Sequence, residues 1–365
     1  MDYKNGWGRY SSELIKRIVA RPEIEAVILS EQPSGYPGEI PILRRSWKIF
    51  GSALRVRKYL RTADIVHAFD GYPYGIIAYL ANLGIGKKII INGVGTYSVA
   101  PFYNFRTSAL LKAAFKKADA VISISSYTKK EIEKKVVPKN HFVIPMGVDC
   151  KKFNLPHSGA GDYILSVGAV TPRKGYDISI QAFAKVKEKF PNLKYYIVGS
   201  QRETIFLDEI KKLIRKLDLE RDVKFFNYVG DEELANLYRE AKLFILSSVN
   251  FEHFFEGFGL VFMEAAASGL PVVGTRGCGI EDSVKEGYNG FLVPQKDVDA
   301  TAKAIIKILE DENLGREMGA NSVRWAAEHD WDKVVPRFLD IYKSLILATR
   351  RKSEKGRPWF ILKIF

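Results

Sequence analysis

Short apolar runs recur along this chain, each bounded by glycine, proline or polar turn residues, and they alternate with longer amphipathic stretches. Runs at 24–29, 64–69, 88–92, 120–124 and 141–144 read as strands in the first half, and runs at 163–170, 193–199, 223–226, 243–246 and 271–274 in the second. Between them, helical patterns cover 11–19, 47–60, 176–190, 208–217, 233–241, 260–268, 301–309, 313–328 and 331–347. Thr128-x-x-Glu131 reads as a capping box opening one further helix. Strand–helix alternation of this kind predicts parallel α/β architecture. A Gly/Pro-rich stretch at 154–161 marks the linker between two halves.

Composition bounds the picture. At 365 residues, with 47% hydrophobic and 12% aromatic content, the chain is long enough for two ordinary domains with real cores. No apolar run approaches the length needed to span a bilayer, and MDYKNGWGRY has no apolar leader segment. Only Cys150 and Cys278 occur, which fits a reducing compartment, and a cytoplasmic location is the expectation. The net charge of +14 is uneven: residues 1–150 carry +11 and residues 350–365 carry +5. A tail reading RRKSEKGRPWFILKIF suits the cytoplasmic face of an anionic membrane, with Trp359 and Phe360 at the interface, better than it suits nucleic acid. A solvated lysine-rich surface is the plain alternative.

Candidate chemistry concentrates in 247–274, SSVNFEHFFEGFGLVFMEAAASGLPVVG. Glu256 falls in a loop after an apolar strand, and Gly257 and Gly259 open a helix that carries Glu264. Eight positions along a regular helix would separate the two carboxylates by roughly 80° and about 12 Å of rise. With Glu256 in the loop, both can address one crevice outside the strand ends, where open α/β sheets bind ligands. Helix-opening glycines let backbone N–H groups approach an anion. Arg173 and Lys174 sit at another helix start, where cations oppose the macrodipole unless an anion lies between them and the helix. His67 and Asp70 end a strand of the first half and could face a cleft; a lone histidine in such a run is more often packed. Gly6 and Gly8 form a Gly-x-Gly loop ahead of the 11–19 helix.

The stretch FEGFGLVFMEAAASGLPVV, with PMGVD at 145–149, TPRKG at 171–175 and GYNGFLVP at 287–294, resembles glycosyltransferase family 4, retaining enzymes of the GT-B fold. The resemblance implies two Rossmann-like domains facing across a cleft, with a C-terminal helix crossing back to the first. It divides the chain into an acceptor-side domain at 1–150, a nucleotide-sugar donor domain at 151–330, a crossing helix at 331–349 and a basic, aromatic tail at 350–365. Glu256 and Lys174 take the catalytic roles. The donor is held by Arg173, Lys174, Tyr228, Val229, Glu256, Gly257, Phe258, Gly259, Leu260 and Glu264, with Lys174 on the pyrophosphate and Glu264 on the ribose. Gly6, Gly8, His67 and Asp70 lie on the acceptor side. The implied reaction moves a hexose from a nucleotide-diphosphate sugar to a glycan, lipid-linked or phospholipid acceptor, with no metal and no cofactor beyond the donor. Three departures stand out: Val94 replaces the family's cleft histidine, Ala169 replaces an arginine, and the strand that precedes the glycine loop is missing. They leave open a second reading, a binding protein of the same fold with impaired catalysis. Asp282 stands where a glutamate is more usual.

Overall fold

The computed structural model describes residues 6–33, 35–153, 157–347 and 360–365. The chain forms two compact units, one from Met1–Gly147 with Trp331–Phe365 and the other from Val148–Asp330. No helix among the described residues is long and apolar enough to cross a membrane.

In the first unit the strands are β1 (Ile24–Ile28), β2 (Ile65–Ala68), β3 (Lys88–Gly93), β4 (Ala120–Ser123) and β5 (His141–Val143). In the second they are β6 (Tyr163–Val167), β7 (Lys194–Val198), β8 (Val223–Phe226), β9 (Phe244–Ile245), β10 (Val272–Thr275) and β11 (Gly290–Val293). The chain ends in β12 (Phe360–Ile364). Each unit carries one six-stranded parallel sheet, ordered β1-β12-β2-β3-β4-β5 and β11-β10-β9-β6-β7-β8. These strands read as apolar runs because helices cover both faces of such a sheet.

The position of β12 overturns two expectations. The first sheet lacks no strand: residues 360–364 fill the place between β1 and β2, in register from Ile24↔Phe360 to Ile28↔Ile364 and from Leu362↔Ile65 to Ile364↔His67. Nor is this end of the chain a membrane tail. Leu362 and Ile364 are fully buried, and main-chain bonds tie Leu29 N to Ile364 O (2.8 Å), Asp64 N to Ile361 O (2.8 Å) and Phe69 N to Phe365 O (3.0 Å). A gap there would leave two facing rows of buried backbone groups unpaired, and an apolar, β-prone segment satisfies both at once. Trp359 and the basic residues before it lie outside the described residues.

Other differences are local. The first helix spans Gly6–Val19, so Gly6 and Gly8 belong to its opening turns and not to a loop ahead of it. The helix expected from Thr128 starts at Ser126, because Ser125, extended and three residues earlier, accepts from Thr128 N at 3.0 Å and caps it. The Trp331–Leu347 helix packs within the first unit, with the Trp331 ring 5.9 Å from that of Tyr10.

Candidate functional site

In the second sheet, β6 is flanked by β7 on one side and β9 on the other, so the chain order reverses between β6 and β9. A crevice outside the carboxyl ends of strands at such a point is where ligands bind in open α/β sheets. The loops after both strands carry charged candidates. After β6, a short turn, Pro172–Lys174, leads through Gly175 into the Tyr176–Lys187 helix. Gly175 adopts φ +65°, and a Cβ there would stand 1.9 Å from the Ser247 carbonyl oxygen, so only glycine lets this turn lie against the chain leaving β9. Val249 N donates to Arg173 O at 2.9 Å and fixes the two loops together.

That closeness brings Arg173, Lys174 and Glu256 into one cluster. Lys174 Nζ reaches Glu256 Oε2 at 2.6 Å, and Arg173 Nη1 reaches the same oxygen at 2.8 Å. Burial by itself would raise the Glu256 pKa, but the two cations outweigh it and hold the carboxyl at about 2. The helix-start cations therefore have an anion already. Glu256 supplies it, at the place where the sequence called for one. The Glu256 loop is clamped from behind by Gly279, whose N–H donates to Glu256 O at 2.8 Å.

Glu256 does lie in a loop, and the helix beyond it runs Leu260–Ala267 with Gly259 as its N-cap in the left-handed region. Among the described residues no side chain caps this N-terminus, and Phe258 is buried. Glu264 is 3% exposed, with Oε2 accepting from the Tyr238 hydroxyl at 3.1 Å. Gly257 and Leu260 are half-buried. Tyr228 (78% exposed) and Val229 follow β8 and take no part in the ion cluster. The hydroxyls of Ser247 and Ser248, just past β9, are buried without a partner among the described residues. Sequence reading passed over them, though two serines at a strand's carboxyl end are a usable signal.

The first unit has its own pocket, of about 500 Å³, at the carboxyl ends of β1, β12, β2 and β3. Trp7 and Tyr74 stack in it with centroids 6.2 Å apart. Glu31 holds Arg45 through both carboxylate oxygens (2.7 and 2.8 Å) and accepts from Tyr74 at 3.0 Å. Ser11 and Phe365 also line the pocket. Trp7 Nε1 and Ser11 Oγ are buried with no partner among the described residues.

Asp70 lines this pocket. Burial raises its pKa from 3.8 to about 7, against the opposing bonds from Ser98 Oγ (2.6 Å) and Gly71 N (2.6 Å). Ser98 in turn accepts from Val94 N at 2.8 Å, so the backbone at Val94 holds Asp70 through one hydroxyl. His67 does not face the pocket. It is fully buried, with Nδ1 2.7 Å from the Tyr342 hydroxyl and Nε2 2.9 Å from Asn92 Oδ1, and burial lowers its pKa to about 4. Its role is to join β2, β3 and the Trp331–Leu347 helix. Gly6 and Gly8 flank Trp7 in the opening turns of the first helix. Glu31, Arg45 and Tyr74 escaped the sequence reading because three segments distant in the chain deliver them.

The chain is similar to known proteins in sequence and in fold. Residues 149–325 match the family described as Glycosyl transferases group 1, and residues 5–152 match Glycosyltransferase Family 4. A protein of Methanocaldococcus jannaschii, named as an uncharacterized glycosyltransferase, is 25% identical over 77% of this chain and 76% of its own. Mannosylfructose-phosphate synthase of Agrobacterium fabrum is 29% identical over 60% of this chain, which spans 52% of that enzyme. The crystal structure of Anabaena HepE in complex with UDP and glucose superposes with a TM-score of 0.78 at 18% identity, covering 93% of this chain and 96% of that one, a likeness of fold. The fold is GT-B. With the two family matches together reaching from residue 5 to residue 325, the chain belongs to the group 1 glycosyltransferases of family 4.

Proposed function

We propose that this glycosyltransferase takes a hexose from a nucleotide-diphosphate sugar, with retention at the anomeric carbon, and passes it to a hydroxyl of a glycan or lipid-linked acceptor. The observation that carries the reading is the convergence of Arg173 and Lys174 on Glu256 at the switch point of the second sheet. Cations fixed before the reaction stabilise charge that grows on a leaving diphosphate without reorganising at that moment. As the bond from anomeric carbon to phosphate oxygen breaks, the electron pair goes to the diphosphate, which Lys174 and Arg173 neutralise. Glu256 turns to the sugar and stabilises the positive charge at the anomeric carbon. The acceptor oxygen forms the new bond, and its proton passes to the departing diphosphate. Glu264 accepts the ribose hydroxyls in place of Tyr238, and the turn at Gly257, Phe258, Gly259 and Leu260 offers N–H groups to the phosphates. Tyr228 and Val229 flank the base. Retention rests on the family resemblance.

The acceptor is assigned to the first-unit pocket. Its unpartnered Trp7 Nε1 and Ser11 Oγ and its stacked aromatic pair suit a sugar ring, which offers hydroxyls and an apolar face. The reading of a catalytically impaired binding protein loses its first motive, since β12 fills the sheet. The test is a diphosphate-release assay with UDP-, GDP- and ADP-sugars, with and without candidate acceptors. Acceptor-stimulated release with one donor supports the proposal. Tight donor binding with no release under any acceptor would return the binding-only reading.

A further inference from the structure

The Ile49–Leu60 helix and the turn before it, Ser46–Lys48, are apolar on two opposite faces. One face, Ile49, Ala53, Val56 and Leu60, is buried in the first unit. On the other, Trp47 (77% exposed), Phe50 (54%) and Leu54 (73%) project into solvent. At about 100° per residue these three fall within about 60° of one another, in a single stripe. Scattered exposed apolar residues are ordinary; a stripe of three large ones on one helix marks an interaction surface. Its charge is equally one-sided. Residues 41–61 hold seven cations, Arg44, Arg45, Lys48, Arg55, Arg57, Lys58 and Arg61, and no acid. Arg45 is spoken for by Glu31, and Arg57 by the carbonyls of Ala81 and Leu83. Among the described residues no acid pairs with Lys48, Arg55, Lys58 or Arg61, which flank the stripe.

We infer that this helix face docks the first unit onto an anionic lipid bilayer, with Trp47, Phe50 and Leu54 entering the interface and the flanking cations meeting lipid phosphates. An interfacial helix of this kind binds through buried apolar area and attraction to anionic headgroups together. A nucleic-acid surface would set aromatic rings among its cations but would not need the aliphatic Leu54 in the same stripe, and a protein partner would not need a face free of acids. Arg45 lies two residues before Trp47 and lines the acceptor pocket, so docking here sets that pocket beside the membrane surface. The inference deepens the lipid-linked acceptor part of the proposed function. It does not depend on the donor chemistry, so vesicle binding and diphosphate release are read separately.

The test is co-sedimentation of the full chain with phosphatidylcholine vesicles and with vesicles containing phosphatidylglycerol. W47S/F50S/L54S and R55Q/K58Q/R61Q run alongside, with thermal melting as the folding control, since all six side chains are at the surface. The wild type is expected to bind the anionic vesicles at least tenfold more tightly than the neutral ones, and each variant is expected to lose at least tenfold. Equal binding to both vesicle types, or retention by the folded serine variant, overturns the proposal. So does salt-sensitive binding to a duplex oligonucleotide that the serine variant keeps while no vesicle is bound.

Discussion

Lys174 Nζ stands 2.6 Å from Glu256 Oε2, and Arg173 shares that one oxygen. The site thus holds an internal anion where the account places the donor's diphosphate. On the proposed placement, donor binding trades one anion for another and ties the seating of the nucleotide to the release of Glu256 toward the sugar.

The first prediction concerns Glu256→Gln. It frees both cations while removing the negative charge offered to the sugar. Nucleotide diphosphate affinity is expected to hold or rise, while transfer falls by about 100-fold or more, in the range of losses for an electrostatic catalytic group. Steady-state kinetics beside calorimetric binding separates the two. A parallel fall in both would mean Glu256 only shapes the fold.

Glu256 also carries a pH signature. Its folded pKa of about 2 lies below the ordinary 4.5, so the ion pairs stabilise the protein fully above pH 4.5 and are lost as pH falls toward 2. Asp70 behaves in the opposite sense. Its folded pKa of about 7 exceeds 3.8, so between those values the folded state keeps a proton that the unfolded state has released, and stability declines as pH rises. The decline amounts to about 4 kcal/mol at most. Asp70→Asn is expected to flatten the melting temperature between pH 4 and 7. An unchanged pH profile in that variant would show that Asp70 ionises normally.

A third prediction tests β12. Leu362 is fully buried in the sheet, and Leu362→Ala is expected to cost about 3 kcal/mol in chemical denaturation. Leu362→Asp should expose the first unit to limited proteolysis. A surface tail would tolerate both changes with stability within about 0.5 kcal/mol of the wild type.

Gly175→Ala forces a Cβ to within 1.9 Å of Ser247 O, at φ +65°. The expected outcome is a loss of more than about 2 kcal/mol from clash and left-handed strain, with weakened nucleotide binding, because Lys174 and Arg173 ride on that turn. Thermal unfolding and nucleotide titration of the same variant check both halves.

Much of this was legible in the sequence, for a physical reason. Parallel strands buried on both faces leave apolar runs, and the clustered charges sit beside loop glycines, so β6, β9 and the Arg173, Lys174 and Glu256 positions are local signals. What escaped is non-local. The partners of β12 lie about 300 residues away in the chain, and an apolar, basic segment suits a lipid interface as well as a sheet. His67 could not be assigned a face by alternation, since β2 is buried on both. Its true partners, Tyr342 and Asn92, come from distant elements. Thr128 offered a capping box, but the backbone is extended three residues earlier, at Ser125, which caps the helix instead.

The most direct measurement of the central claim is calorimetric titration of UDP, GDP and ADP into the wild type, Lys174→Ala and Glu264→Gln. One nucleotide is expected to bind the wild type well, and each variant to weaken it by about tenfold or more, the loss that follows removal of a charged partner. Binding that survives unchanged in both variants, or no binding of any nucleotide to a folded wild type, would contradict the placement of the donor at the Arg173–Lys174–Glu256 cluster.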